Sequence, residues 1–289
     1  RLMERPLMFT TGSLTHGSSI QLQDLEDHGA VLRASACQRT ENPRISIVVP
    51  TLNEARNLEV VLPQLPAVHE VIVVDGGSTD DTEQVVRRLL PQAKFLQQTR
   101  RGKGNALAVG FAAVTGDVVV MFDADGSADA AEIPRFVAAL VAGADFAKGS
   151  RYLPGGGSVD ITPLRSLGNK GLSGTANMLF GTAYSDLCYG YNAFWVDVLH
   201  DLDLPSISAP EAQWGDGFEI ETVINARVAA AGLSVAEVPS FELDRIHGES
   251  NLRTFRDGWR VLRTLMTERR RLVSRRPDTG SAQSVGAAA

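Results

Sequence analysis

Apolar residues follow two different periods along this chain, and the two alternate between residues 44 and 125. Short runs rich in valine and isoleucine predict strands at 45–49, 70–75, 94–97 and 117–122. Between them, apolar residues at helical spacing predict helices at 53–65, around 85–90 and at 106–114. This βαβαβαβ order predicts an α/β fold, with a mostly parallel central sheet flanked by helices.

The pattern is looser after residue 125. It predicts helices at 134–142, 164–180, 218–231 and 255–272, and strands at 145–149 and 235–238. Three glycines at 155–157 predict a mobile loop. Residues 1–43 show no sustained period, so we expect a leader that is partly disordered or lies over the body. The expected organisation is one domain over 44–252, a basic amphipathic helix over 253–276 and a disordered tail over 277–289.

Composition narrows the classes of protein. The net charge of −6 argues against a nucleic-acid binder. Cys37 and Cys188 have no nearby cysteine or histidine partner, so neither a zinc site nor a disulfide framework is expected. A reduced, cytoplasmic location follows. No run approaches the roughly 18 apolar residues of a membrane span, and no signal peptide follows Arg1, although a few residues are expected to be missing before it.

Asp123 and Asp125 are the first candidate for chemistry. A β-branched strand runs directly into this Asp-Ala-Asp sequence. Two carboxylates at a strand end can bind one divalent cation, Mg²⁺ or Mn²⁺, which neutralises a diphosphate. Two surface aspartates in a turn are the simpler interpretation, but the three preceding βα units favour a ligand site, because open α/β sheets bind ligands at strand ends.

Polar residues also follow the first two strands. Pro50 stiffens the exit of the first strand, and Asn53 is predicted to cap the next helix. Glu54 or Asp75 can accept hydrogen bonds from ribose hydroxyls or a base edge. Residues 76–78 allow close backbone approach to a ligand. This loop lacks the glycine spacing of a dinucleotide site and the lysine of a P-loop.

Eight segments together resemble family 2 glycosyltransferases, and most of all the dolichol-phosphate mannose or glucose synthase branch. They are VVPTLNE (48–54), VVDGGSTDDT (73–82), GKGNAL (102–107), DADG (123–126), KGSRY (148–152), DLCYGYNAF (186–194), FEIE (218–221) and RIHGESN (245–251). The resemblance covers about 44–265. It implies a GT-A fold with a Rossmann-like nucleotide half and an acceptor half, a nucleotide-sugar donor, Mg²⁺ or Mn²⁺, and inversion at the anomeric carbon.

The resemblance also implies roles for individual residues. Those expected to bind the nucleotide sugar are Pro50, Asn53, Glu54, Asp75, Gly77, Ser78, Lys103, Asp123, Arg245 and Ser250. Asp123 and Asp125 would bind the metal, and Arg151 and Arg165 would face the acceptor phosphate or the transferred sugar. Two positions depart from the pattern: Ser127 stands where many synthases have a glutamine ligand, and Asn251 where a lysine is common.

The acceptor decides whether a base is needed. A hydroxyl acceptor requires one, and Asp216, Glu219 and Glu221 are candidates, of which we predict Glu219. Since Glu219 and Glu221 are two apart on a predicted helix, at most one can face the site. A polyprenyl phosphate is already anionic and needs no base.

Three functions are therefore weighed. The first is transfer of a hexose from UDP-glucose or GDP-mannose to polyprenyl phosphate. The second is transfer from the same donors to a soluble hydroxyl compound, such as a sugar or secondary metabolite. The third, from another class, is a nucleotide-sugar or lipid-phosphate binding protein without turnover; the intact aspartate pair and both basic clusters argue against it.

The last helix has two interpretations. Phe255, Trp259, Leu262 and Met266 form an apolar stripe among arginines. Such a helix can lie on anionic lipid, which would place the protein at the inner face of the membrane. Alternatively, it packs on the domain and exposes its arginines.

Overall fold

A seven-stranded sheet dominates the computed structural model, within the residues it describes: 22–34, 39–159, 161–248 and 254–275. The strands in chain order are Ile45–Thr51 (β1), Glu70–Asp75 (β2), Lys94–Gln97 (β3), Val118–Met121 (β4), Phe146–Ser150 (β5), Gly157–Ser158 (β6), Asn192–Trp195 (β7), Val235–Pro239 (β8) and Phe241–Glu242 (β9). The large sheet has the order β3-β2-β1-β4-β7-β5-β8, and β6 and β9 form a separate pair. Only β7 runs antiparallel to its neighbours in the large sheet, so the mostly parallel α/β fold is confirmed.

Helices cover the sheet. They are Leu22–Ala34 (α1), Ala55–Val61 (α2), Thr82–Leu89 (α3), Lys103–Ala112 (α4), Ile133–Val141 (α5), Pro163–Phe180 (α6), Leu199–Leu202 (α7), Ile220–Ala230 (α8) and Thr254–Arg275 (α9), with 3-10 turns at Leu62–Gln64, Ala130–Glu132 and Val196–Val198. α4 is buried from Gly104 to Ala112. It lies close to β1, because a Cβ on Gly110 would meet Val48 Cγ1 at 2.3 Å.

Sequence patterns did not predict β7. Its four residues are all buried, and its aromatic side chains explain the position: Phe194 stacks on Phe146 of β5 with centroids 5.7 Å apart. The Trp195 indole N–H donates to the Ala144 carbonyl at 3.1 Å. These contacts fix β7 between β4 and β5 and join the two halves of the sheet.

Part of the expected leader is helical. α1 packs on α4 and buries Leu25. His28 Nε2 lies 2.7 Å from the Val114 carbonyl oxygen, and the Glu26 carboxylate accepts the Ser208 N–H. Residues 22–34 thus belong to the folded body. Residues 1–21 and 276–289, including most of the predicted leader and the predicted tail, lie outside the described residues.

The last helix packs against α6 and α8 through one face. Leu265 is fully buried, and the Glu268 carboxylate accepts hydrogen bonds from Arg227 and from the Trp214 indole at 2.9 and 2.7 Å. Trp259 is 70% exposed and Met266 also faces outward; the side chain of Phe255 is outside the described part. The helix therefore packs on the domain and still presents an apolar edge. No helix in the described ranges has the length and apolar character needed to cross a membrane.

Candidate active site

The carboxyl ends of β1, β2 and β4 meet at one edge of the sheet. Thr51 pairs with Asp75, and Val48 pairs with Met121, so the loops after the three strands are neighbours. Pro50, half-buried within β1, pairs with Val74. This edge collects the polar segments singled out by the sequence and is the usual ligand-binding position of open α/β sheets.

Asp75 organises the loop after β2. Its carboxylate accepts the backbone N–H groups of Gly77 and Ser78 at 3.0 and 2.9 Å, and the Ser78 hydroxyl at 2.5 Å. Gly77 has φ = +87°, a conformation that favours glycine. Asp75 is buried. The Asp75 carboxylate therefore fixes the shape of the loop that is predicted from the sequence to bind the nucleotide.

Asn53 does not cap α2, so that prediction is wrong. The N-cap of α2 is Glu54 and the backbone N–H groups of Glu54 and Ala55 donate to Thr82 and Asp80. Asn53 instead adopts φ = 55°, and its side-chain oxygen accepts the Thr79 N–H at 2.8 Å. The residue joins the first loop to the second. The reason is that side chains distant in sequence accept the N–H groups at the start of α2 in place of Asn53.

Lys103 and Arg245 each contact one aspartate of the pair. Lys103 Nζ lies 2.8 Å from Asp123 and 2.7 Å from Glu221. Arg245 lies between Asp125 at 3.1 Å and Glu54 at 3.2 Å. The predicted residues Glu54, Lys103, Asp123, Asp125 and Arg245 are thus brought together. With one further residue, Glu221, they form what we call the aspartate cluster.

The aspartate loop is shaped by its own hydrogen bonds. Asp125 accepts both the backbone N–H and the hydroxyl of Ser127, at 3.0 and 2.7 Å. Ser127 therefore orients Asp125, although it lacks the carbonyl oxygen of the glutamine common in the family. Gly126 has φ = +82°, which completes this tight turn.

Charges in the aspartate cluster perturb one another. Burial raises the pKa of Asp123, and the nearby Asp125 carboxylate raises it further, against the opposing Lys103 ammonium. Burial is also the largest cause of the raised pKa of Glu54. The pKa of Asp125 is lowered, because the hydrogen bonds from Ser127 and the charge of Arg245 outweigh burial.

The donor set fits a hard divalent cation. Four carboxylates (Glu54, Asp123, Asp125 and Glu221) face two side-chain cations, which leaves two formal negative charges. Among the described residues, no group of three or more histidine, cysteine or acidic side chains could hold a metal alone. Mg²⁺ is often held by one or two carboxylates together with substrate phosphates. Asp123 and Asp125 match that arrangement.

Two glycines place Lys103. A Cβ on Gly102 would lie 2.1 Å from the Asp216 carbonyl oxygen, and one on Gly104 would lie 1.8 Å from that of Gly215. Neither position tolerates a side chain. The turn that begins α4 can therefore lie directly on the 215–217 segment, and Lys103 projects between Asp123 and Glu221.

Glu221 is the candidate base that contacts the aspartate cluster, through Lys103 at 2.7 Å. Asp216 is buried and paired with Arg100 through two hydrogen bonds of 2.7 and 2.8 Å. The Glu219 carboxylate accepts the N–H groups of Gly215 and Gly217, both at 3.2 Å. The spacing correctly indicated that Glu219 and Glu221 diverge, but nothing in the sequence could tell which one faces the aspartates.

Arg151 is held in a different environment from the one expected. Its guanidinium makes two hydrogen bonds to Asp186, at 2.6 and 2.9 Å, and a third to Glu242 at 2.9 Å. It also stacks over the Tyr189 ring. These contacts occupy the guanidinium and make Arg151 join three chain segments. Its contact with the acceptor phosphate or the transferred sugar stays a prediction. Its charge outweighs burial and lowers the pKa of Asp186.

Two further residues predicted for the site are Arg165 and Ser250. Arg165 lies in the first turn of α6, and its backbone N–H donates to the capping Thr162 hydroxyl at 3.2 Å. Ser250 lies outside the described residues.

Known proteins match both the sequence and the fold. A family model described as glycosyl transferase family 2 matches residues 46–203. Polyprenol monophosphomannose synthase of Mycolicibacterium smegmatis is 35% identical over 72% of this chain and 81% of the relative. Undecaprenyl-phosphate mannosyltransferase of Micrococcus luteus is 33% identical over 72% and 87%.

A solved structure shows the same architecture. Glucosyl-3-phosphoglycerate synthase of Mycobacterium tuberculosis, in complex with Mn²⁺, UDP-glucose and phosphoglyceric acid, aligns with a TM-score of 0.61 at 24% identity. The alignment covers 92% of this chain and 88% of that one. With the family model and the relatives, this fold match leads to one conclusion: the chain is a glycosyltransferase enzyme of family 2, with the GT-A fold.

Proposed function

We propose that the enzyme transfers a hexose, with inversion, from UDP-glucose or GDP-mannose to polyprenyl phosphate, with Mg²⁺ or Mn²⁺ as cofactor. The observation that carries the proposal is the aspartate cluster at the ends of β1 and β4. It combines a carboxylate pair for a metal with two cations for a diphosphate. The names of the two curated relatives support the lipid phosphate acceptor.

Asp123 and Asp125 would hold the metal. Once bound, the metal neutralises negative charge on the departing nucleoside diphosphate. The Mn²⁺ named with the solved synthase supports a divalent ion of this kind. The hydrogen bonds from Ser127 keep the Asp125 carboxylate in one orientation, so the site is organised before the ligand arrives.

Lys103 and Arg245 supply the positive charge on the protein side. Lys103 keeps its proton, because Asp123 and Glu221 outweigh the effect of burial and raise its pKa. Arg245 can donate two parallel hydrogen bonds to phosphate oxygens. Both cations already lie beside the aspartates. They can therefore stabilise the negative charge that develops on the diphosphate as it departs.

An ionised acceptor phosphate needs no base. Its oxygen forms the new bond to the anomeric carbon while the bond from that carbon to the donor diphosphate breaks, and the electron pair leaves with the nucleoside diphosphate. The state of the candidate bases supports such an acceptor. Asp216 is paired with Arg100, Glu221 is paired with Lys103, and the Glu219 carboxylate accepts two backbone N–H groups.

The apolar edge of α9 supports contact with a membrane surface. Trp259 and Met266 face outward on a helix rich in arginine, a combination typical of helices that lie on anionic lipid. Sedimentation with anionic vesicles tests this part. Trp259→Ser should lower the bound fraction, and an equal bound fraction for both proteins would refute the contact.

The transfer reaction is tested with labelled UDP-glucose and GDP-mannose, each with polyprenyl phosphate, Mn²⁺, Mg²⁺ or EDTA. We expect metal-dependent label in the organic phase with one donor. Label only in a water-soluble glycoside would favour the hydroxyl acceptor, and no turnover with any acceptor would favour a binding protein. A thermal-shift panel identifies the nucleotide independently, because a ligand at 100 times its Kd adds about 2.7 kcal/mol.

A further inference from the structure

The small sheet of β6 and β9 has two unlike faces. Its strands are parallel, and Ser158 pairs with Glu242. Paired residues share a face, and the Glu242 carboxylate accordingly accepts the Ser158 hydroxyl at 2.6 Å and the Arg151 guanidinium at 2.9 Å. One face is thus polar and joined to the buried ion pairs of the acceptor half.

The opposite face is apolar and exposed. Phe241 pairs with Gly157, and a Cβ on Gly157 would lie 2.6 Å from the Phe241 ring. The ladder continues by one residue, since the Val159 N–H donates to the Glu242 carbonyl at 3.2 Å. Alternation then places Val159 and Leu243 beside Phe241. Their exposed fractions are 54%, 43% and 41% for Val159, Leu243 and Phe241.

This apolar face begins at the aspartate loop. The Leu243 N–H donates to the Ser127 carbonyl at 2.9 Å, and the Ile246 N–H donates to the Asp125 carbonyl at 3.1 Å. Ile246 covers Gly126, where a Cβ would lie 2.4 Å from its Cδ1. The isoprene patch is defined here as Val159, Phe241, Leu243 and Ile246. It is continuous with the aspartate cluster through main-chain hydrogen bonds.

We propose that the isoprene patch binds the first isoprene units of the acceptor, next to its phosphate. The inference rests on the proposed function. A nucleotide sugar has no hydrocarbon chain beyond its phosphates that could lie along such a surface. A prenyl phosphate is anionic at one end and hydrocarbon beyond it, which matches a surface that starts at a cation-containing cluster and continues as four exposed apolar side chains. Exposed apolar patches of this kind mark interaction sites.

The test is the dependence of acceptor KM on chain length, measured in one detergent with C5, C10, C20 and C55 prenyl phosphates. For the wild type, KM should fall from C5 to about C10–C20 and then level, because only the first units contact the patch. The double variant Phe241→Ser, Leu243→Ser should raise KM about tenfold for C10 and longer chains. Its kcat and its donor KM should stay within about twofold of wild type.

Controls separate chain binding from damage. Val31→Ser removes an exposed apolar side chain on α1, which packs on α4, and should change no KM. Phe241→Leu keeps an apolar surface and should retain most of the acceptor affinity, which provides a second measurement if the double variant does not fold. Equal wild-type KM at all chain lengths would overturn the proposal, as would an equal KM increase for C5 and C20 in the double variant.

Two further outcomes are decisive. If the double variant loses binding to anionic vesicles while its chain-length dependence in detergent matches wild type, the patch binds bilayer lipid and the proposal is wrong. Failure of the proposed function looks different: the wild type would transfer sugar to no prenyl phosphate of any length but would glycosylate a soluble hydroxyl compound.

Discussion

Basic residues in the two halves of this enzyme look alike in the sequence, but the ion pairs that they form differ in solvent exposure. In the nucleotide half, Lys103 and Arg245 contact partly exposed carboxylates at the sheet edge. In the acceptor half, Arg151 is clamped on Asp186, which is fully buried. A partly exposed pair can exchange its partner for a ligand, whereas a buried bidentate pair holds the fold. A basic residue within a sequence motif therefore has no assigned role until its partner is known.

The largest expected effect is on the metal pair. Asp125→Asn should lower the transfer rate at least about 1000-fold, because the site loses a charge that holds the metal on the diphosphate. The amide oxygen can still accept the two hydrogen bonds from Ser127, so the melting temperature should change little. Initial rates and thermal unfolding check both parts.

The matched control for this change is Asp129→Asn. Asp129 caps the 3-10 turn at Ala130–Glu132, and an asparagine side chain can cap this turn equally well. Wild-type activity of Asp125→Asn in the presence of EDTA would rule out the assignment of the metal to this pair.

Arg151→Ala should act mainly on stability. It leaves the buried Asp186 without its guanidinium, which costs about 3 kcal/mol of unfolding free energy. Arg88→Ala, which breaks an exposed pair with Glu59, should cost less than about 1 kcal/mol. Urea unfolding measures both. Unchanged stability with a raised acceptor KM would instead support the sequence-based role of Arg151 at the acceptor phosphate.

The stability contributed by Asp186 should depend on pH. Its pKa is lowered in the folded protein, so ionised Asp186 stabilises the fold above the ordinary aspartate pKa, and this stabilisation is lost as pH falls through the folded pKa. Asp186→Asn should therefore be about 2 kcal/mol less stable than wild type at pH 7. The gap should narrow below about pH 4. A gap that is constant from pH 7 to pH 3.5 would contradict the ion-pair explanation.

The smallest effect is expected from Arg245→Lys. The change keeps the charge but loses the fork that spans Glu54 and Asp125, so kcat/KM for the donor should fall about tenfold. Stability should change by less than about 0.5 kcal/mol. Arg87→Lys, at an exposed pair with Glu83, serves as control. If both Arg245→Lys and Arg245→Ala keep wild-type donor kinetics, Arg245 has no part in donor binding.

Local patterns predicted the nucleotide half well. The strands around Val48, Val73 and Val120 are continuous β-branched runs, and such runs identify buried parallel strands. The loops that follow them carried the site residues. Parallel topology brings strand ends together, so the strands alone located Glu54, Asp123 and Asp125. Lys103 and Arg245 were predicted from the family resemblance.

The features that were not predicted from the sequence depend on contacts between residues far apart in the chain. Arg151 is held by Asp186 and Glu242, which are 35 and 91 positions away, and no local pattern contains either contact. β7 is four residues long and depends on aromatic packing across two strands. The wrong cap at Asn53 has the same origin, since Asp80 and Thr82 satisfy the N–H groups of α2 from another loop.

The place of β7 in the sheet has a consequence for how the chain assembles. β5 reaches β4 only through β7, although β7 follows α6 in the chain. During synthesis, residues 146–150 leave the ribosome first and must wait for residues 192–195 before they can join the sheet. Until then the nascent β1–β4 sheet has an open edge at β4, a surface on which other chains can add strands. The nucleotide half can form early, whereas β5 joins the sheet only after the later β7 is inserted, and β8 then completes it.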